Sequence, residues 1–345
     1  MNGRERVARY LEGRPVDRVP VAPVIDGYFA PRVSGRPSHE CWRSPELMAQ
    51  ALCDCATTFG HDIVVVSDAL GAGNTMLGCP VELDESSHVP LYTGHCVDDP
   101  ADLGRLQPAP FAGSPGEATL LAVKARLGGD RFILGVVTAP FEMAFIARGH
   151  SFLADLVQDR GFAQKTLAAC LPLAEARARA LVAAGVDGIL FKDSVASSSM
   201  ISPRHYAEFA FPWEKRVIEA VRDEAWTVLH ICRNAGPIVE LMAQTGAHVL
   251  ELDAPCDVAR AMASTPAGVF FKGNVDAVAE LQDGAPEDLA RRVEEICAVA
   301  RRTRRLIVST GDSTPYDTPL DKLHLFMSTG WRSGALEGPG EGCAS

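Results

Sequence analysis

Eight short runs rich in β-branched residues alternate along this chain with longer amphipathic stretches, and that alternation constrains the fold more than any other feature. The runs are Val19–Ile25, Asp62–Val66, Arg131–Val137, Val186–Lys192, Thr227–Cys232, His248–Asp253, Gly268–Gly273 and Arg305–Ser309. Between them lie Ala-, Leu-, Glu- and Arg-rich stretches such as Ser44–Phe59, Phe162–Ala184, Pro203–Asp223, Ala235–Thr245 and Pro286–Thr303. Apolar residues recur there three and four apart, as helices require. Ser44-Pro45, Ser202-Pro203 and Ala285-Pro286-Glu287 mark helix starts, and Gly185 and Gly246 mark helix ends. The pattern predicts an α/β fold, a single-domain (β/α)8 TIM barrel, over residues 1–333. A doubly wound open sheet would want a Gly-rich phosphate loop after an early strand, and there is none. A polar insert, Gly71–Gly129, separates the second and third runs; Val81–Leu83 and Val89–Tyr92 within it predict a small hairpin near the barrel mouth. The Gly-rich stretch 334–345 is expected to be a flexible tail.

Charge and composition exclude several partners. A net charge of −11 argues against nucleic acid and anionic membrane surfaces, and no apolar stretch is long enough to span a bilayer. Met1-Asn2-Gly3-Arg4-Glu5-Arg6 lacks the apolar centre of a signal peptide, so a cytoplasmic location is expected. The ten cysteines show no framework pattern, and Cys53 and Cys55 are too close in sequence for an ordinary bridge. They are expected to be free thiols. Nothing in the pattern of surface residues fixes the oligomeric state.

A barrel enzyme builds its site at the C-terminal ends of its strands. Here those ends carry Ser67-Asp68, Thr138 through Glu142, Lys192-Asp193, His230 with Cys232, Asp253, Gly273-Asn274-Val275-Asp276 and Thr310-Gly311-Asp312. One polar strand end is unremarkable; seven on one rim predict a site. Individual members also have structural readings. Asp253 and Asp276 suit helix caps, Lys192 suits a pair with Asp193, and Asn274 beside Gly273 suits a turn. His61, His88, His95 and His150 lie in loops or helix starts and carry no assigned role.

His230-Ile231-Cys232 is the strongest of these features. Side chains two apart on a strand point the same way, so imidazole and thiol converge. A neutral nitrogen beside a soft thiolate is half of a zinc site. The same string also fits a buried His next to a buried Cys. Cys256, three residues past Asp253, is a reserve ligand.

The order and spacing of several strings resemble the uroporphyrinogen decarboxylase superfamily, and within it the cobalamin-dependent methyltransferases. They are Arg4-Glu5-Arg6-Val7 to Pro15-Val16-Asp17-Arg18-Val19-Pro20, Ala69-Leu70-Gly71, Ala139-Pro140-Phe141, Ala184-Gly185-Val186-Asp187-Gly188, Ser202-Pro203, His230-Ile231-Cys232, Gly273-Asn274-Val275-Asp276 and Thr318-Pro319-Leu320. The resemblance runs from about Arg4 to Gly330 and implies a (β/α)8 barrel, which agrees with the strand count. The decarboxylase branch is metal-free and grips a polycarboxylate substrate with an Arg-Gln-Ala-Gly-Arg motif after the first strand. Here that stretch is Pro23-Val24-Ile25-Asp26-Gly27-Tyr28-Phe29, with an acid and no arginine. Such a substrate needs compensating cations. Asp68 is the one match to a decarboxylase aspartate, and with Asn274 it is expected to bind substrate.

The methyltransferase branch binds zinc through His-x-Cys and a later Gly-Cys turn. The resemblance implies zinc on His230 and Cys232, with Asp312 of Gly311-Asp312 standing where the family has cysteine. Cys256 and Glu142 are alternatives for that third position. Replacing a thiolate by a carboxylate donates less charge and leaves a stronger Lewis acid. That favours attack by a Co(I) corrinoid on a small methylated donor, an O-methyl ether, over activation of a thiol acceptor of the coenzyme M type. Glu142 and Asp193 are expected to supply a proton or position the substrate. The chain lacks the family's cobalamin-binding signature, so a separate corrinoid protein is the implied partner, with the long insert as a docking surface. A metal-free decarboxylase and a non-catalytic metal-binding protein are the competing readings.

Overall fold

The computed structural model describes residues 1–67, 77–85 and 88–336. Strands β1 (Ile63–Val66), β4 (Phe132–Thr138), β5 (Gly188–Lys192), β6 (Trp226–Ile231), β7 (Val249–Leu252), β8 (Phe270–Val275) and β9 (Leu306–Thr310) form one parallel sheet in chain order. Their residues are buried almost throughout. Helices cover the outer face of such a sheet, so apolar side chains are needed on both faces.

The expected first strand, Val19–Ile25, is not continuous. It makes a single parallel bridge, Val21 to Val308. Pro20 and Pro23 have no N–H to donate, so a regular ladder cannot run through them. The segment nevertheless closes the ring. Val308 N–H donates to Pro20 O (3.0 Å) and Ala22 N–H to Val308 O (2.8 Å) on one side, and Asp62 N–H to Val21 O (3.0 Å) on the other. The result is a (β/α)8 barrel whose eighth strand is a bridge.

Local chemistry explains the helix ends. Ser44 caps Pro45–Phe59 by accepting the Leu47 N–H, and Gly60 closes it at φ 66°. Asp159 caps Arg160–Ala183 through the Phe162 N–H. The expected helix Pro203–Asp223 is interrupted: a wide π turn at Tyr206–Ala210 precedes Phe211–Glu219. Pro212 supplies the reason, since it cannot donate to the carbonyl four residues back. The expected hairpin is present but shorter, as β2 (Val81–Glu82) against β3 (Leu91–Tyr92), with Val81 opposite Tyr92.

The N-terminal end of the barrel is tied by one buried acid. Asp62 accepts from Arg6 Nη1 (2.7 Å), Arg18 Nη1 (2.7 Å) and the Val21 N–H (2.8 Å), joining the first helix, the bridging segment and β1. The first residues of the expected flexible tail are also held. Ala335 bridges Arg18, and Leu336 N–H donates to Asp17 O (3.0 Å). Positions 337–345 lie outside the described residues, as does Asp68. No helix among the described residues is long and apolar enough to cross a membrane.

His61 is buried beside β1, and neither ring nitrogen has a hydrogen-bond partner among the described residues. Burial, with Arg131 nearby, pushes its pKa down from 6.5 to about 3. It is therefore neutral in the folded chain and charged in the unfolded chain below neutral pH. Its stabilising contribution is complete above about pH 6.5 and is lost as pH falls toward 3, a change on the order of 4 kcal/mol. Urea titrations across that window should show a shallower loss of stability in His61→Leu than in the parent chain; parallel curves would contradict this.

Candidate metal centre

β6 ends in the His230 imidazole and, two residues on, the Cys232 thiol. Nε2 and Sγ lie 3.1 Å apart. β9 ends in a turn that brings Asp312 Oδ1 to 3.8 Å from the same Nε2. One donor atom from each residue lies within 4.8 Å of the others, and among the described residues this is the one set of three such donors so placed. His230 is buried, and Cys232 and Asp312 are half-buried.

The ring is oriented from behind. His230 Nδ1 lies 3.0 Å from Glu251 Oε1, and Glu251 Oε2 lies 2.5 Å from Lys272 Nζ. Strand register produces this row: Lys192 pairs with His230, His230 with Glu251, and Glu251 with Lys272. With Nδ1 facing a carboxylate, Nε2 is left to face Cys232 and Asp312. Histidines that bind metals are commonly held this way. Burial raises the Glu251 carboxyl, but Lys272 and His230 outweigh it and hold its pKa at about 2. Burial lowers the His230 pKa, yet Cys232 and Glu251 carry it well above the ordinary value.

Asp312 is fixed by its turn. Its Oδ1 accepts the Ser313 N–H at 2.6 Å, and Ser313 Oγ donates to Asp26 Oδ2 at 2.8 Å. Asp26 Oδ1 in turn accepts the Tyr28 N–H at 3.0 Å. Gly311 has no room for a side chain: a Cβ there would stand 2.6 Å from Asp253 Oδ1 and 2.7 Å from Ala254 N. Ser313→Ala removes the hydroxyl that ties the turn to Asp26. Supports of this kind are worth roughly 10–100-fold in metal affinity, so for the zinc site proposed below chelator competition should show Ser313→Ala releasing metal about 10-fold more readily. An unchanged affinity would mean the turn holds Asp312 without that bond.

The cluster opens into a cavity of about 640 Å³ at the C-terminal end of the barrel. Tyr28, Trp42 and Tyr92 line it, with the acids Asp26, Glu142, Asp253, Asp276 and Asp312 and the cations Lys192 and Arg233. Burial lowers the Lys192 pKa, but Asp26, Tyr28, Asp312 and Cys232 outweigh it, so the ammonium stays charged. It also sits 5.8 Å from the centre of the Tyr28 ring.

The expected site residues divide. Glu142 lines the cavity, with Oε2 accepting the Ser194 N–H at 2.6 Å; burial pushes its pKa up. Asp193 does not line it. It is fully buried, and its Oδ1 accepts the Glu142 N–H at 2.9 Å, so it holds the backbone that carries Glu142. Asn274 is likewise turned away. Its amide donates to Cys256 O (2.8 Å) and its Oδ1 accepts from Arg292 (3.2 Å), which ties β8 to the loop after β7 and to the Pro286–Thr303 helix. The Cys256 sulfur accepts the Ala235 N–H at 3.2 Å and stands outside the donor cluster, as does Glu142. Asp276 caps the following turn through the Val278 and Ala279 N–H groups, and Asp253 accepts the Arg233 N–H. Both also line the cavity. Glu251 and Lys272 were not among the expected site residues. Their sequence signal was a single charge inside each of two otherwise apolar buried strands.

A family model described as uroporphyrinogen decarboxylase (URO-D) matches residues 2–330. Among curated proteins, the chain is 26% identical to the methylcobamide:CoM methyltransferase MtbA of Methanosarcina acetivorans, over 86% of this chain and 89% of that one. It is 27% identical to the protein of the same name from Methanosarcina mazei, over 83% and 86%. It is 26% identical to a uroporphyrinogen decarboxylase of Prochlorococcus marinus, over 93% and 94%. A solved structure described as a methyltransferase from Methanosarcina mazei superposes with a TM-score of 0.82 at 22% identity, covering 95% of this chain and 98% of that one, and has the same fold.

Proposed function

The chain belongs to the uroporphyrinogen decarboxylase family, and within it we propose a corrinoid-dependent methyltransferase that moves a methyl group from a small O-methyl ether to the corrinoid of a separate protein, with zinc on His230, Cys232 and Asp312. The observation that carries this reading is the mixed nitrogen, sulfur and oxygen donor set, of which Cys232 and Asp312 line the cavity and His230 stands buried beside them. These residues fit zinc on the chemistry of the set: a neutral-capable imidazole with its second nitrogen engaged, one thiol and one carboxylate, leaving room for an outside ligand. Zinc bound there supplies a Lewis acid for the ether oxygen.

The chain's own residues do the rest. Tyr28, Trp42 and Tyr92 give flat apolar walls suited to an aromatic ring. Glu142, whose carboxyl pKa burial pushes up, is the acid of the cavity wall that would hand a proton to the departing oxygen. Lys192 offsets the charge of Asp26 and Asp312. Five lining carboxylates against two cations suit a neutral substrate. They suit neither a polycarboxylate porphyrinogen nor any substrate that needs an anion clamp. Tyr28, Tyr92 and Val278, at 37%, 41% and 52% exposed, give the cavity rim an apolar surface for the corrinoid partner.

A second reading is transfer from a methylcobamide to an anionic thiol. The names of two relatives favour it, and exposed Arg233 beside Cys232 would receive the anion. One experiment separates the two. Zinc-loaded protein is mixed either with cob(I)alamin and a panel of aryl methyl ethers, or with methylcobalamin and 2-mercaptoethanesulfonate, and the cobalt spectrum is followed. Consumption of Co(I) only with ethers supports the first reading. Demethylation of methylcobalamin only with the thiol supports the second. Neither reaction, together with release of CO2 from a porphyrinogen, would return the chain to the decarboxylase chemistry.

A further inference from the structure

The insert between β1 and β4 carries a pair of thiols that the methyl-transfer site does not use. Cys79 precedes β2 and Cys96 follows β3, and their sulfurs lie 3.3 Å apart. We propose that Cys79 and Cys96 are a redox-active dithiol, oxidised by low-molecular-weight disulfides, whose cross-link staples the base of the insert that brings Pro90 and Tyr92 to the cavity wall.

Three observations support this. First, the two cysteines sit at the neck of a ribbon. Val81 faces Tyr92, Glu82 faces Leu91, and the Thr93 N–H donates to Pro80 O at 3.1 Å, so the backbones on either side of the pair already run together. A bond at this neck closes the loop that holds the ribbon. Second, both sulfurs are held in place by backbone carbonyls on the neighbouring segments. Cys79 Sγ lies 3.6 Å from Ile146 O, and Cys96 Sγ 3.1 Å from Leu77 O. The N–H groups of Cys96 and Val97 both donate to Ala147 O at 2.9 Å. The neck thus rests on the end of the Pro140–Arg148 helix, whose Glu142 and Ile146 line the cavity. Bond formation has to close the sulfurs from 3.3 Å to about 2.05 Å. Third, the two thiols differ in access and acidity. Cys96 is half-exposed, and the Cys79 hydrogen bond, with His95 and Arg105 nearby, draws its pKa below the ordinary thiol value; Cys79 is buried and is pushed up. A partly exposed, more acidic thiol beside a buried partner is the arrangement of an attacking and a resolving cysteine.

The chemistry balances as an exchange. The Cys96 thiolate attacks one sulfur of a disulfide RSSR, forming the Cys96–SR mixed disulfide and releasing RS⁻. Cys79 then loses its proton, attacks the Cys96 sulfur, forms the Cys79–Cys96 bond and expels the second RS⁻. The protein gives up two electrons and two protons, and RSSR becomes two RSH.

The test is to incubate the full chain with oxidised glutathione, alkylate the remaining thiols and map the digest by mass spectrometry. Loss of two of its ten thiols, recovered as one peptide pair joining Cys79 to Cys96, is the expected result. Proteolytic cutting within the insert should slow about 10-fold in the oxidised chain and return to its original rate after reduction. Cys79→Ser should stop at glutathione on Cys96, and Cys96→Ser should leave the Cys79 thiol free. Glutathione that stays on Cys96 of the parent chain would overturn the proposal. So would a cross-link from Cys96 to the neighbouring Cys170, or no thiol loss at all. The wild-type map decides the matter even if a serine variant folds poorly.

Discussion

His230→Ala and Cys232→Ala are each expected to lose zinc and to lose methyl transfer by at least about 10³-fold, while keeping the fold of the parent chain. The size follows from geometry. Three donors lie within 4.8 Å, so removing one leaves two, and two protein ligands do not hold zinc as three or four do. Support residues alone are worth roughly 10–100-fold in affinity, and a direct ligand exceeds that. The fold should survive because both side chains stand at the end of β6 and the apolar contacts of the strand lie below them. Asp312 gives the sharper comparison. Asp312→Ala should weaken zinc. Asp312→Cys should bind it at least as well but demethylate ethers more slowly, because a second thiolate makes the metal a poorer Lewis acid. Metal content, circular dichroism and the cob(I)alamin assay measured on the same preparations check all four variants. Faster ether demethylation by Asp312→Cys would remove the argument for an oxygen-type donor.

Lys272→Met is expected to be among the most destabilising single changes in the molecule. Lys272 and Glu251 are both buried, and each has the other as its charged partner at 2.5 Å. Truncating the lysine leaves a carboxylate in the barrel interior with only His230 to face. Breaking a buried pair in this way costs roughly 3–5 kcal/mol, whereas replacing both members by apolar groups is often close to neutral. The double variant Glu251→Leu with Lys272→Met should therefore recover most of the stability that Lys272→Met loses. It should not recover zinc affinity, because His230 then has no carboxylate behind it. Urea unfolding of the two variants, with chelator competition alongside, separates the two roles. Equal stability of Lys272→Met and the parent would show that Glu251 is held by something other than this pair.

These expectations rest on features of unequal visibility in the sequence. Seven strands and most helices were legible because period and punctuation agree: β-branched runs, Ser or Asp caps, and glycines at positive φ such as Gly185 and Gly246. The first strand was overread. Val19–Ile25 has strand composition, but Pro20 and Pro23 reduce it to a bridge. The metal cluster was legible in part. His230 and Cys232 are two apart on one strand, a local relation that sequence displays directly. Asp312 lies on a different strand end and came from resemblance; its placement 3.8 Å from His230 Nε2 is a product of barrel closure. Asp193 and Asn274 look like site residues because they end strands. Neither lines the cavity: Asp193 accepts the Glu142 N–H and Asn274 bonds Cys256 and Arg292, contacts that a list of strand ends does not reveal. Glu251 and Lys272 were missed for the opposite reason. They lie inside strands, where attention to the rim does not reach, and their meaning depends on the register of three neighbouring strands.

The most direct measurement is X-ray absorption at the zinc edge on the zinc-loaded chain, with Asp312→Cys beside it. The account expects one sulfur at about 2.3 Å and a shell of nitrogen and oxygen at about 2.0–2.2 Å in the parent, and two sulfurs in Asp312→Cys. Two sulfurs in the parent chain, or a parent chain that takes up no zinc, would contradict a centre built from His230, Cys232 and Asp312.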